Sequence, residues 1–511
     1  MKGRLYQELI LIVDFGTQYS QLVARRIREQ HVYCEIVSPG RVLEEAKTKK
    51  PQGIILSGGV GSVFDDKATI PEELFNLGIP ILAICFGYQV MVHVLGGKLV
   101  AKDIKQPKKA TLTIKDSSDL FFNIKESAFL LSQDEVKEIP KGFEVIASAE
   151  TVPNVAIRDP QRKLYGLQFS LEELHTSLGK SVLQNFLFKV CKLQGLWDMD
   201  QFINEVVKQI KEKVGTDKVI CGLSGGVDSA VTALLVHKAI GDQLTCIFVD
   251  HGFMRQGEAE DVVTTYRERF NMNLVHVDAS KRFVKLLEGI TEPEQKRKII
   301  GNEFIRVFEE EAKKIGDAKF LAQGTVYPDV IESGSGSSSV IKSHHNVGGL
   351  PEDLQFELIE PLRDLFKVEV RKVGEKLGMP AEMVWRHPFP GPGLAIRIIG
   401  EVTKPKLDLL RKADAIYIDE IKKHGLYNDI WQAFCVLTNT RTVGVLDDER
   451  TYAYVLGLRA VNSSDGMTAN WYRFPYEVLD KISNRIMKEL PEINRVVYDI
   501  SPKPPSTIEW E

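Results

Sequence analysis

The stretch from Val219 to Val236 leaves this chain little choice of local fold. The apolar pair Val219-Ile220 reads as the end of a buried strand. Cys221-Gly222-Leu223-Ser224-Gly225-Gly226 follows as a tight turn, and Ala230-Val231-Thr232-Ala233-Leu234-Leu235-Val236 continues as a helix. A strand, a glycine turn and a helix start in that order begin a βαβ unit, which belongs in a parallel sheet. The backbone N–H groups at such a helix start have no intrahelical partner, and the dipole end there is positive, so the turn suits a phosphate. Gly225 and Gly226 let the backbone approach that anion, and Ser224 and Ser229 add hydroxyl donors. Asp228 offers a carboxylate for Mg²⁺. The cradle runs from Ser224 through Val227 to Ala230, and it is not a G-x-x-x-x-G-K-[ST] loop.

Other apolar runs repeat the pattern. Leu9 to Val13, Ile54 to Leu56 and Ile79 to Ile84 precede small or polar turns in the first part of the chain; Leu244 to Asp250, Asn273 to Asp278 and Phe320 to Ala322 do so in the middle. Continuous apolar strands alternating with helices indicate α/β domains whose ligands sit at the carboxyl ends of the strands. Asp250 ends its strand where an adenosine would lie, and Gly324 permits close approach beside Thr325 and Asp329. The run Ser333 to Ser339 reads as a mobile loop leading to Lys342, a lysine suited to meet phosphates when the loop closes. Lys367, at the start of a helix, is a second phosphate lysine. Pro388 to Gly393 holds three prolines and two glycines and reads as a rigid hinge. Beyond it, helices and strands in mixed order suggest a small α+β domain, closed by a tail, Ser501 to Glu511, expected to be ordered against a ligand.

Composition narrows the classes. A length of 511 residues suggests two to four domains, and 66 basic against 70 acidic residues leave a net charge of −4, so no electrostatic case exists for nucleic acid or a membrane surface. No apolar run approaches the ~18 residues of a membrane span, and the first residues do not read as a signal peptide. The six cysteines are scattered without a C-x-x-C pair, which favours a reducing cytoplasm over a disulfide framework.

The string Ser224–Ser229 resembles the pyrophosphate loop of the N-type ATP pyrophosphatases, which cleave ATP to AMP and pyrophosphate. A second string, Ala83-Ile84-Cys85-Phe86-Gly87-Tyr88-Gln89, sets a cysteine at a strand-to-helix turn, where a thiolate is favoured. The N–H groups of Phe86 and Gly59 are placed to stabilise an oxyanion. This pattern resembles the class I glutamine amidotransferases, whose Cys–His–Glu triad takes its last two members from a Phe-His-Pro-Glu string. Here the string is Phe169-Ser170-Leu171-Glu172. Glu172 matches, whereas Ser170 stands at the histidine position and has no useful basicity near neutral pH. Among the histidines of the first 195 residues, His31 and His93 should be remote. His175 is the local one, and the family carries a histidine there outside the triad. Weak or absent glutamine hydrolysis, with free ammonia as the nitrogen source, is therefore expected.

Across nearly the whole chain the strings Leu321–Asp329, Lys342–Pro351, Arg386–Arg397, Trp431–Phe434, Ser464–Ala469 and Asn494–Trp510 resemble the glutamine-hydrolysing GMP synthetase family. The resemblance implies two parallel-sheet α/β domains plus a small C-terminal α+β dimerisation domain: 1–195 an amidotransferase-like domain, 196–386 an ATP pyrophosphatase domain and 387–511 a domain for dimerisation and XMP binding. It implies ATP with Mg²⁺, XMP, and glutamine or ammonia as ligands, a homodimer, and Arg297, Gln432, Lys503, Ile508 and Glu509 as XMP contacts. A tRNA-modifying ATP pyrophosphatase is the runner-up; it would need a basic RNA face, which the charge balance does not supply. A non-catalytic regulator has only Ser170 in its favour.

Overall fold

The structure of the chain, a computed structural model, describes residues 3–511 except 17–18, 60–62, 64–69, 101–107, 125–127, 132–134, 151, 170–176, 335–355, 447, 464–465 and 467. It divides into two units, Met1–Glu205 and Val206–Glu511.

In the first unit, strands β1 (Leu9–Val13), β2 (Tyr33–Val37), β3 (Gly53–Leu56), β4 (Ile81–Ile84), β5 (Thr113–Ile114), β6 (Glu144–Ala149), β7 (Val152–Asp159) and β8 (Leu164–Leu167) form one eight-stranded sheet in the order β2-β1-β3-β4-β8-β7-β6-β5. The pairs from β2 to β8 are parallel. Every residue of β1, β3 and β4 is buried, as a strand covered on both faces requires. Helix α1 (Tyr19–Glu29) turns Val23, Ala24 and Ile27 inward, and α2 (Phe86–Val94) is buried along most of its length. Three of the five parallel strands, β1, β3 and β4, are those the apolar runs predict; β2 and β8 lie outside those runs. The three remaining strands pair antiparallel and extend the sheet. They escape that reading because exposed residues interrupt their burial, as in β7.

In the second unit, β9 (Lys218–Leu223), β10 (Leu244–Asp250), β11 (Asn273–Asp278), β12 (Ala318–Ala322) and β13 (Glu357–Ile359) form a wholly parallel sheet in the order β11-β10-β9-β12-β13. The winding reverses at β9, so a crevice opens where β9 and β12 end. Helix α3 (Val227–Ile240) starts at that point and is buried from Ala230 to Val236. Among the further helices around the sheet and its exits are α4 (Glu258–Thr264), α5 (Pro293–Ile315), α6 (Tyr327–Gly334) and α7 (Lys367–Lys376). Helix α6 corrects the expectation of a turn at Asp329 and a loop from Ser333. Pro328 fits its first turn, Asp329 Oδ2 accepts the Val326 N–H at 3.1 Å, and Ser333 and Gly334 are its last residues. The rest of the Ser/Gly run, Ser335 to Ser339, lies outside the described residues.

The C-terminal part of this unit is built on two long antiparallel strands, β14 (Gln432–Leu446) and β15 (Glu449–Asn462), joined by β16 (Asn470–Trp471) and, in parallel with β15, β17 (Ile493–Tyr498). Helix α8 (Lys404–Lys423) buries Leu407, Leu410, Ala413, Tyr417 and Ile421, and α9 (Tyr476–Glu489) buries Val478, Ile482 and Ile486. Both stripes have helical spacing and join one core with Cys435, Leu437, Leu456 and Leu458 of the strands. Truncating a side chain here, such as Ile482→Ala, should cost about 2–5 kcal/mol. A smaller cluster, Phe434, Val436, Val461, Ala469 and Ile508, brings the C-terminal tail onto the strands. Among the described residues no helix is long and apolar enough to cross a membrane.

Candidate active site

In the first unit, β4 runs into α2 through Cys85, whose backbone has φ +48° and ψ −110°. A non-glycine residue held there is strained by about 1–3 kcal/mol, a cost usually met where the conformation aims a reactive group. The Cys85 N–H donates to Leu167 O at 2.8 Å, which ties the elbow to the end of β8. Its Sγ lies 3.9 Å from the Gln168 carbonyl. Gly59 follows β3 beside the same turn: a Cβ on it would fall 2.8 Å from Phe86 Cδ1. Cys85, Phe86 and Gly59 are thus brought together. His31 Nδ1 instead meets Trp197 O at 3.2 Å, and His93 is exposed on the last turn of α2. Ser170, Glu172 and His175 lie outside the described residues.

In the second unit, β9 ends at Leu223 and α3 begins at Val227, so Ser224, Gly225 and Gly226 form the turn at the winding reversal. Gly225 has φ +74°, a conformation that side chains rarely adopt. Ser229 Oγ stands 3.1 Å from Ser224 Oγ and donates to Gly226 O at 3.1 Å, so the two hydroxyls brace the loop. Asp228 Oδ2 accepts from Lys367 Nζ at 2.6 Å, which places the first residue of α7 over the loop. Asp228 Oδ1 is buried without a partner. That orphaned oxygen fits a cation held between one carboxylate and a ligand's phosphates, which is the usual manner of Mg²⁺. Among the described residues no three His, Cys, Asp or Glu side chains group as a metal site of their own. Gly324 leaves β12 against the loop: a Cβ there would fall 3.1 Å from the Asp228 carbonyl carbon. Asp250 Oδ1 accepts the Gly252 N–H at 2.8 Å, shaping the turn after β10. Thr325 Oγ1 donates to Glu360 at 2.7 Å. Lys342 lies outside the described residues.

The tail of the second unit is held by buried cations. Arg459, fully buried, donates to the carbonyls of Ser501, Thr507 and Ile508. Arg397, also fully buried, grips Glu509 with Nε at 3.0 Å and Nη2 at 2.8 Å, and its Nη1 has no partner. Gln432 Nε2 donates to the same carboxylate at 2.9 Å. Arg297 bonds to the Glu511 backbone oxygen, and the buried Lys296 donates to the Glu511 carboxylate and to Ile398 O at 2.7 Å. Lys503 Nζ donates to Gly466 O at 2.8 Å.

Residues 11–190 match the class-I glutamine amidotransferase family, 199–307 the NAD synthase family and 419–510 the GMP synthase C-terminal domain. The protein named GMP synthase [glutamine-hydrolyzing] from Clostridium botulinum strain Langeland is 56% identical over 508 residues, covering 99% of this chain and 100% of that protein. Its namesake from Clostridium perfringens strain 13 is 54% identical over the same length. This chain belongs to the glutamine-hydrolysing GMP synthase family. A whole-length match covers both units, whichever fate befell any single residue in either.

The residues that the GMP synthase resemblance assigns to XMP separate into three places. Gln432 and Glu509 share hydrogen bonds, Arg297 holds the residue two beyond Glu509, and Lys503 sits by Gly466. Ile508 is buried in the tail cluster. Sequence reasoning missed Arg397, Arg459 and Lys296. Arg397 closes the proline–glycine stretch, yet its partner is 112 residues away, so no local signal pairs the two.

Two neutral histidines fix that stretch in place. His387 Nδ1 accepts the Ala433 N–H at 3.2 Å, so Nε2 carries the proton and donates to Tyr427 O at 2.9 Å. His251 Nδ1 accepts the Phe253 N–H at 3.0 Å. Burial pushes both imidazoles down to about 4. Their neutral forms are favoured in the folded state, while the unfolded chain takes up protons below 6.5; stability is therefore full above that value and is lost as the pH falls towards 4. Each histidine should remove about 2 kcal/mol between pH 7 and 5. Denaturant titrations followed by tryptophan fluorescence at the two pH values check this: the midpoint should fall at pH 5, and His387→Gln should show a smaller fall.

Proposed function

We propose that this chain makes GMP from XMP, with ATP cleaved to AMP and pyrophosphate and with nitrogen from glutamine or free ammonia, Ser170 at the histidine position favouring ammonia. The braced loop Ser224–Ser229, with Asp228 and Lys367 upon it, is the observation that carries the reading. Membership in the GMP synthase family supports it.

The loop N–H groups, the Ser224 and Ser229 hydroxyls and Lys367 bind the β- and γ-phosphates of ATP, with Lys342 as a further cation. Asp250 and Gly324 border the adenosine. Asp228 is the residue to hold Mg²⁺, which when bound neutralises charge on the phosphates. Glu509, fixed by Arg397 and Gln432, accepts a hydrogen bond from a xanthine ring N–H, and Lys503 and Arg297 are the further groups assigned by the family resemblance to the remaining polar groups of XMP. The XMP O2 then attacks the α-phosphorus, its bond to the β-phosphate oxygen breaks, and pyrophosphate leaves against the loop's positive groups. Ammonia attacks C2 of adenylyl-XMP, the C2–O bond breaks, AMP leaves and a proton is lost to solvent, giving GMP.

In the first unit Cys85 is the nucleophile that glutamine hydrolysis would use, with Gly59 and Phe86 as oxyanion donors and Glu172 retained. The base is missing, because Ser170 cannot take the thiol proton and His175 matches a histidine outside the triad. The division at residues 195 and 386 into amidotransferase-like, ATP pyrophosphatase and C-terminal domains follows from this assignment of roles, and a reducing cytoplasm suits the scattered cysteines.

The chain acts as a homodimer through the arm formed by β14 and β15. Val443, Val445 and Tyr452 are 51%, 74% and 64% exposed on it, an apolar surface that a second copy would cover. Val445→Lys combined with Tyr452→Lys should convert the dimer to a monomer in sedimentation, with the second unit still folded; an unchanged mass would contradict this. The function itself is tested by product analysis with XMP, ATP, Mg²⁺ and ammonium. AMP, pyrophosphate and GMP are expected in equal amounts and only with XMP. ADP and phosphate, or ATP cleavage without XMP, would contradict the mechanism.

A further inference from the structure

Residues 386–397 touch both halves of the proposed reaction. At one end, Arg386 Nη1 donates to Gly225 O of the phosphate loop at 2.9 Å, and its Nη2 pairs with Glu258 of α4. Glu258 is itself tied down by the Arg255 N–H at 2.9 Å. At the other end, Arg397 holds Glu509 through two nitrogens. In between, Pro388 O accepts from the Gln432 amide at 3.1 Å, the amide that also holds Glu509.

The two ends meet at one ring. The guanidinium carbon of Arg386 lies 5.6 Å from the Phe389 centroid, that of Arg397 5.0 Å, and that of Arg255 5.4 Å. Three like charges around one aromatic ring repel each other. They are held by the ring's quadrupole and by their separate partners: Gly225 O and Glu258 for Arg386, Glu509 for Arg397, and Ala433 O at 2.9 Å and the buried Asp414 at 3.1 Å for Arg255. The segment is also stiff, because Leu394 N–H donates to Phe253 O at 2.8 Å and three prolines restrict its backbone.

We propose that residues 386–397 act as a strap, with Phe389 as its hub, that couples occupancy of the Gln432–Glu509 carboxylate site to the geometry of the phosphate loop. Arg386 and Arg397 are positioning residues, acting on substrate through Gly225 and Glu509. A purine monophosphate that hydrogen-bonds Glu509 loads Arg397; the load passes across the Phe389 face to Arg386 and sets the Gly225 carbonyl, and with it the N–H groups that receive the nucleotide phosphates. Attack on the α-phosphorus is then confined to the state in which both ligands are seated. This rests on the reading of Gln432 and Glu509 as XMP contacts.

The test is equilibrium binding of α,β-methylene-ATP with Mg²⁺ to the full chain, with and without saturating XMP. In the wild-type chain XMP should tighten the analogue by about tenfold, within the usual range of site-to-site coupling. Phe389→Leu should reduce that factor to about one, with the dissociation constant of each ligand alone changed by less than about twofold. Phe389→Tyr, which keeps the ring face, should restore it. Arg397→Gln should weaken XMP alone and spare the analogue alone. Coupling that persists unchanged in Phe389→Leu, or that is absent from a wild-type chain binding both ligands, would overturn the strap. A wild-type chain that does not bind XMP would overturn the reading of the site as well, so the two failures are told apart.

Discussion

Placing histidine at position 170 should raise glutamine-driven GMP formation by about 10²–10⁴-fold, the worth of a positioned general base. The argument begins at Cys85. Its strained elbow, its seat at the start of α2 and the neighbouring Gly59 and Phe86 are the groups proposed above as nucleophile and oxyanion donors. The Cys85 thiol lies 3.9 Å from the carbonyl of Gln168, two residues before Ser170. The family's histidine position comes two residues beyond Gln168 in sequence, and Glu172 matches the family's glutamate. Ser170→His restores one group to a site whose other groups persist. Glutamate release from glutamine would measure it. The gain should vanish in Ser170→His/Cys85→Ala, and the rate with ammonium should stay unchanged in both variants. No gain in Ser170→His would mean that the first unit has lost more than its base.

Asp228→Asn should lower ammonium-driven GMP formation by about 10²–10³-fold, the usual loss when one charge-stabilising group leaves a phosphoryl-transfer site. Two effects combine. The neutral amide no longer balances Lys367, and the buried oxygen fitted to a cation loses its charge. Because Asp228 is on the first turn of α3, the helix packing below it is untouched, and the unfolding midpoint should move little. The Mg²⁺ concentration for half-maximal rate should rise, which a merely structural aspartate would not cause. Gly225→Val should be comparably damaging through a different route, since φ +74° excludes a β-branched side chain. An unchanged Mg²⁺ dependence in Asp228→Asn would remove the metal from this residue.

Much of this site is legible in sequence, for local reasons. The phosphate loop is a strand end, two glycines and a helix start within a few residues, and each part has its own signal. Cys85 is legible for the same reason, as is the parallel order of the strands with unbroken apolar runs. The antiparallel extension of the first sheet is not, because alternating, partly exposed strands resemble the loops around them. Nor is the long strand β15, for which no strand of its own is predicted from the sequence. The buried cations were the largest omission. Arg397, Arg459 and Lys296 look like surface residues until partners 112, 49 and 215 positions away come to meet them. Helix α6 was hidden differently: its last residues, Ser333 and Gly334, begin a Ser/Gly run whose composition suggests a loop from its first residue.

The most direct test of the central claim compares GMP formation by the wild-type chain with ammonium chloride and with glutamine as the nitrogen donor, under saturating XMP, ATP and Mg²⁺. A synthase site fed by free ammonia predicts brisk GMP formation with ammonium, and with glutamine a rate lower by about 10²-fold or more, in line with the missing base. Equal rates with the two donors, with the glutamine rate abolished by Cys85→Ala, would contradict it.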